Sequence, residues 1–154
     1  MAKLNIFAGR LLHKTLSQWT TCLIDYQLYR YMLKNILLVF LGGGFGCTAR
    51  YLVSMLLSKC KDYLGGFPIH TMTANFLGCL CIGLIIGYLS KNPNNTIQLL
   101  LVTGFCGGFT TFSTFSSEIL KLFQGGQPAM ALLYMGISLV ICLAATLVGT
   151  LIMK

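Results

Sequence analysis

Acidic residues are nearly missing from this chain. Three Asp and Glu stand among 154 residues, and charged residues of either sign make up only 9%. So little charge cannot solvate a globular surface of that size. No carboxylate falls at the middle of a hydrophobic run; Glu118 lies at the end of the third. This argues against a small proton-coupled multidrug transporter, which needs a titratable acid inside the membrane. The seven cysteines include no C-x-x-C pair and no metal-type spacing, so they read as reduced thiols, with Cys47, Cys79, Cys81, Cys106 and Cys142 as small packing residues inside the runs. With no nucleophile-and-base pair or metal constellation visible, the chain does not read as an enzyme.

What the chain does have is apolar length. Hydrophobic residues make up 56%, and runs fall at about residues 35–57, 67–89, 97–120 and 129–152. Each is long enough, at about 1.5 Å per residue, to cross a hydrocarbon core of about 30 Å. The expected fold class is an all-α membrane protein with four transmembrane helices. Short punctuating segments separate the runs: SKCKDYLGG, SKNPNN and QGGQP. The net charge of +8 comes from 11 Lys and Arg, mostly at run ends and in the N-terminal segment. Anionic head groups of membrane lipid are therefore the expected partner, and nucleic acid is not.

Residues 1–33 form a basic extension ahead of a membrane domain at 34–154. The segment through Lys34 lacks both a spanning core and a small-residue cleavage site. Two readings stand: an amphipathic surface helix, since Leu12, Leu16, Trp19 and Leu23 recur at helical spacing, or a start at Met32, where MLKNILLVF opens a first span. From residue 32 onward Lys34, Lys91 and Lys154 fall on one side of the membrane and Lys59, Lys61 and Lys121 on the other. Because loop Lys and Arg set orientation, such a balance permits insertion both ways. Lys3, Arg10, Lys14 and Arg30 of the extension weigh against that balance.

The polar residues inside the runs mark the candidate site. Arg50 needs a partner or a wet cavity; it either braces neighbouring carbonyls or attracts anions. Gly42, Gly43, Gly44 and Gly46 permit close backbone approach. Thr71, Asn75 and Cys79 recur every four residues, as do Tyr134, Ser138, Cys142 and Thr146, giving two polar stripes and an expected shared wet interior. Asn75 reads either as interhelical glue or as a donor lining a hydrated path. The third run holds GFCGGFTTFSTFSS at 104–117, with three glycines, four phenylalanines and six hydroxyl side chains. Gly104, Gly107 and Gly108, with β-branched Thr110, Thr111 and Thr114, predict a break near 107–111 that frees carbonyl oxygens. Beyond it, Phe112 and Phe115 share a face beside Ser113, Ser116 and Ser117. Ring edges are electropositive and can meet an anion without trapping it.

GFCGGFTTFSTFS, together with GGGFGCTARY and FPIHTMTANFLGCLCIG, strongly resembles the fluoride ion channels of the CrcB (Fluc) family over residues 34–152. The resemblance implies an antiparallel, dual-topology homodimer in the bacterial inner membrane, through whose two pores fluoride leaves the cytoplasm passively. It implies a structural sodium ion (Na+) at the dimer centre, held by the main-chain carbonyls of Gly107 and Thr110. It makes Phe112 and Phe115 the pore phenylalanines, Asn75 and Ser113 their polar neighbours, Tyr134, Ser138 and Thr146 a polar track, and Arg50 the vestibule cation. Departures are Cys79 where serine is usual, Cys142 where a hydroxyl is common, His70 where glycine is frequent, and the N-terminal extension. A non-conducting structural membrane subunit would account for the glycines and buried cysteines, yet has no use for the phenylalanine and hydroxyl cluster.

Overall fold

The computed structural model describes residues 2–57 and 66–154, with side chains from Tyr26 onward. The side chains of the apolar row Leu12, Leu16, Trp19 and Leu23 lie outside what is described, as do the loop lysines Lys59 and Lys61 altogether. Among the described residues, four helical stretches are long and apolar enough to cross a membrane: Tyr26–Leu57, Ile69–Lys91, Asn95–Gln124 and Pro128–Met153. Helix α1, Ala2–Leu57, runs through Lys34 and the expected start of the first span at residue 35 without interruption. No Gly or Pro falls between Tyr26 and Leu41 to end it.

The chain forms two compact units, residues 1–37 and 38–154. In the first, Arg30 stacks its guanidinium over the Tyr26 ring at 5.8 Å. The second contains the remainder of α1, then α2 (Ile69–Lys91), the short α3 (Asn95–Ile97), a π-helical segment (Gln98–Cys106), α4 (Gly107–Phe109), α5 (Phe112–Gln124) and α6 (Pro128–Met153). Local chemistry explains the ends. Asn94 caps α3 by accepting from the Ile97 amide at 3.1 Å. Pro128 opens α6 at the first turn, where its missing N–H costs nothing. Gly126, at φ +72°, supplies the left-handed residue of the preceding turn.

Between α4 and α5 the backbone leaves the helical region for two residues. Thr110 has φ −81°, ψ 156° and Thr111 φ −151°, ψ 117°. Upstream, the Gly107 amide reaches the Val102 carbonyl five residues back. Such wide winding is rare and concentrates at functional sites.

Glycine seams hold the second unit together. A Cβ at Gly104 would stand 3.0 Å from the Gly42 Cα, and one at Gly108 only 3.1 Å from the Gly43 Cα. The first and third spans therefore touch backbone to backbone. A second seam joins α2 and α6, where a Cβ at Gly149 would stand 2.6 Å from the Leu80 carbonyl oxygen and one at Gly87 2.9 Å from that of Thr150. Along both seams residue numbers rise together, so each pair is parallel, as alternating spans require. Gly42 and Gly46, Gly104 and Gly108, and Gly83 and Gly87 each have the small-x-x-x-small spacing that lets membrane helices close on one another. Where lipid competes equally for apolar side chains, such contact replaces the hydrophobic effect as the packing force.

A side chain forced into a seam should cost about 1–3 kcal/mol. Gly149→Leu should lower the melting temperature of the detergent-solubilised protein by several degrees. Gly136→Ala should leave it unchanged, since a Cβ there has nothing within 4 Å. Differential scanning fluorimetry reads both.

Candidate functional site

The two extended residues would leave unpaired polar groups in a dry setting, where each costs several kcal/mol. Asn75, on α2, supplies the partner. Its Oδ1 accepts from the Thr111 amide at 2.8 Å and its Nδ2 donates to the Thr111 carbonyl at 3.2 Å. One side-chain amide thus takes the place of a neighbouring backbone. Thr111 also caps α5, its Oγ1 accepting from the Thr114 amide at 3.3 Å and lying 3.2 Å from Ser113 Oγ. Thr110 turns both its amide and its hydroxyl to the Cys106 carbonyl, each at 2.9 Å. Because the Thr111 amide points to Asn75, it does not return to the Gly107 carbonyl as a continuing helix would require.

Beside this interruption lies a pocket of about 300 Å³. Asn75, Cys79 and Ile82 line it from α2, Ser138, Leu139, Cys142, Leu143 and Thr146 from α6, and Thr110, Thr111, Phe112 and Phe115 from the third span. Both polar stripes thus reach one space. Ser138 Oγ is buried with no hydrogen-bond partner, leaving an unspent hydroxyl in the wall. Phe112 and Phe115 have ring centroids 5.8 Å apart with planes inclined at 43°. Their surroundings differ: Phe115 is 7% exposed, Phe112 78%. Phe115 packs on Tyr134 (5.1 Å) and Phe67 packs edge-on to the same ring (5.4 Å).

Tyr134 is therefore a core residue, fully buried and outside the pocket wall. Its hydroxyl donates to Glu118 at 2.9 Å. The other Glu118 oxygen accepts from Thr71 Oγ1 at 2.7 Å and lies 3.1 Å from His70 Nε2. Three helices meet at this one carboxylate. The structure brings Asn75, Thr110, Phe112, Phe115, Ser138 and Thr146 to the pocket. Ser113 sits one hydrogen bond away from it. Gly107 and Arg50 are elsewhere; the Arg50 guanidinium lies 3.8 Å from Cys47 Sγ on its own helix.

Residue-by-residue reading missed the Glu118 network and the role of Thr111. A signal for Glu118 was present: Thr111, Phe115, Glu118 and Leu122 follow the spacing of one helical face, and all but Glu118 are buried. No comparable signal joins Asn75 to Thr111, which are 36 residues apart.

Four helical stretches long and apolar enough to cross a membrane define a class, the small multi-pass membrane proteins. Residues 37–150 match the family model described as "CrcB-like protein, Camphor Resistance (CrcB)". The chain is 41% identical over 120 residues to the fluoride-specific ion channel FluC of Azobacteroides pseudotrichonymphae genomovar. CFP2, covering 77% of this chain and 94% of that one. It is 46% identical over 95 residues to that of Phocaeicola vulgatus, with 61% and 77% covered. Against that of Escherichia coli (strain K12 / MC4100 / BW2952) it is 41% identical over 117 residues, with 75% and 90% covered. The chain belongs to the CrcB family.

Asn75→Asp should remove the donor to the Thr111 carbonyl and set oxygen against oxygen. Losing a buried hydrogen bond and leaving its partner unpaired costs about 1–3 kcal/mol. The melting temperature in detergent should fall by several degrees, and any transport by the reconstituted variant should fall with it.

Proposed function

We propose that the chain is a fluoride-specific ion channel that lets fluoride leave the cytoplasm passively across the bacterial inner membrane and so limits fluoride toxicity. The reading draws on the likeness to fluoride-specific ion channels and on one observation of this molecule: the pocket beside Thr110 and Thr111, where the unspent Ser138 hydroxyl and the Phe112 and Phe115 rings share a wall. Fluoride is small and tightly hydrated, so a pore must return in hydrogen bonds what it removes in water. The Ser138 hydroxyl is the free candidate donor. That of Thr146 would have to turn from the Cys142 and Cys79 carbonyls, and that of Ser113 from Thr111, to meet the ion. The aromatic rims of Phe112 and Phe115 offer a positive edge with no fixed charge. A lysine or arginine inside the pore would hold the ion too tightly for release. Arg50 serves as the attracting charge at the vestibule. Tyr134 contributes through packing against Phe115 and through its bond to Glu118.

The functional unit in this proposal is an antiparallel dual-topology homodimer with two pores. Support comes from the even division of Lys34, Lys91 and Lys154 against Lys59, Lys61 and Lys121, and from Phe112, which one chain leaves 78% exposed. The carbonyls of Gly107 and Thr110 would hold a structural sodium ion at the dimer centre. Their surroundings fit, because the Thr111 amide that a continuous helix would return to Gly107 is engaged by Asn75. When bound, the ion would supply positive charge to carbonyl dipoles that lack a donor. A proton-coupled exporter fits less well, since both oxygens of Glu118 are already engaged by Thr71, His70 and Tyr134.

A fluoride-electrode assay on liposomes tests the reading. Wild-type protein should empty fluoride-loaded vesicles while chloride-loaded vesicles keep their contents. Phe112→Ile and Phe115→Ile should slow fluoride efflux at least about tenfold, a barrier change of about 1.4 kcal/mol. Efflux of both halides alike, or undiminished fluoride efflux through both variants, would refute the pathway assignment.

A further inference from the structure

Two of the pocket's wall residues have chemistry that an anion path does not use. Cys79 on α2 and Cys142 on α6 both line the pocket of about 300 Å³. Their helices are in close contact at this level. The Thr146 hydroxyl lies 3.3 Å from the Cys79 carbonyl and 3.1 Å from the Cys142 carbonyl, so one small group touches both backbones. The two thiols are free and share the wall of this one pocket. Among the described residues no group of three or more His, Cys, Asp and Glu could hold a metal ion, so these sulfurs have no third ligand of that kind.

We propose that Cys79 and Cys142 form a two-point site for a soft, divalent, two-coordinate cation, with mercury(II) as its type ion. Two ligands do not satisfy zinc, which takes four in structural sites and three plus water in catalytic ones. Soft thiolates select soft ions, and a linear pair of sulfurs satisfies mercury(II). Charge points the same way. Two thiols lose two protons, two S–H bonds give way to two S–Hg bonds, and no electron changes hands. The product, S–Hg–S, is neutral, as a wall shared with Ile82, Leu139 and Leu143 requires. A monovalent soft ion would leave a net negative charge there. The site stands on the sulfur pair alone; its consequence for transport rests on the fluoride reading, because an ion held here fills the pocket and closes the path.

The purified full-length protein in detergent is titrated with mercuric chloride and washed with a monothiol, and retained mercury is counted by elemental analysis. A monothiol strips ions held by one sulfur more readily than a bridged one. Wild type should retain about one ion per chain, whereas Cys79→Ser and Cys142→Ser should each retain less than about a tenth of that. Cys81→Ser and Cys106→Ser should retain as much as wild type. Retention undiminished in either Cys79→Ser or Cys142→Ser, or lost in Cys81→Ser or Cys106→Ser, overturns the site. In vesicles, mercuric chloride should slow wild-type fluoride efflux at least about tenfold and a dithiol should restore it. After a wash with a monothiol, which leaves the wild type slowed, each pocket serine variant should return to its own untreated rate. Bridged mercury with unaffected efflux upholds the metal site and overturns the pocket as the fluoride path. Absence of efflux before any mercury is added overturns the channel reading, and the retention count still decides the site.

Discussion

The pair of hydrogen bonds between the Asn75 amide and the Thr111 backbone is the interaction on which the rest of the molecule depends. Inside a membrane a chain departs from helical geometry only where something replaces the lost backbone partners. Asn75 offers one acceptor and one donor at the right separation, and Thr111 presents one donor and one acceptor to match. That match allows Thr110 and Thr111 to be extended, allows α5 to start afresh with Thr111 as its cap, and turns Phe112 and Phe115 toward the pocket. An asparagine inside a span is costly unless fully paired, and here pairing spends it. Its amide works first on the shape of the chain, and Ser138 is the wall residue with a hydroxyl to spare.

A second polar centre lies one helical turn further on. Glu118 accepts from α2 through Thr71 and from α6 through Tyr134, with His70 alongside. Tyr134 is in turn wedged between Phe67 and Phe115. The ring that borders the pocket is thus fixed from behind by a buried tyrosine whose own hydroxyl is tethered. The bonds to Glu118 tie three helices to one carboxylate, while His70 Nδ1 remains buried without a partner.

Much of this was legible in the sequence, and the physical reason differs from part to part. Apolar runs of spanning length are local, so the four helical stretches long and apolar enough to cross a membrane were readable from composition alone. The two polar stripes were readable from four-residue spacing, and the pocket draws on both. What spacing could not supply was pairing across the bundle. Gly104 and Gly108 read as weak points of a helix; in the folded chain the backbone of α1 packs against them. Cys79 and Cys142 read as unrelated replacements for small polar residues, and only the packing of α2 on α6 makes them neighbours.

The glycine seams carry a consequence for how such a chain drifts over generations. Glycine is the smallest residue, so every missense change at Gly83, Gly104, Gly108 or Gly149 adds atoms where another backbone already stands. Leucines on the open faces, such as Leu132 and Leu147, trade freely among similar shapes. The bundle therefore divides into an open outer coat and an inner spine that admits substitution in one direction only, toward less room.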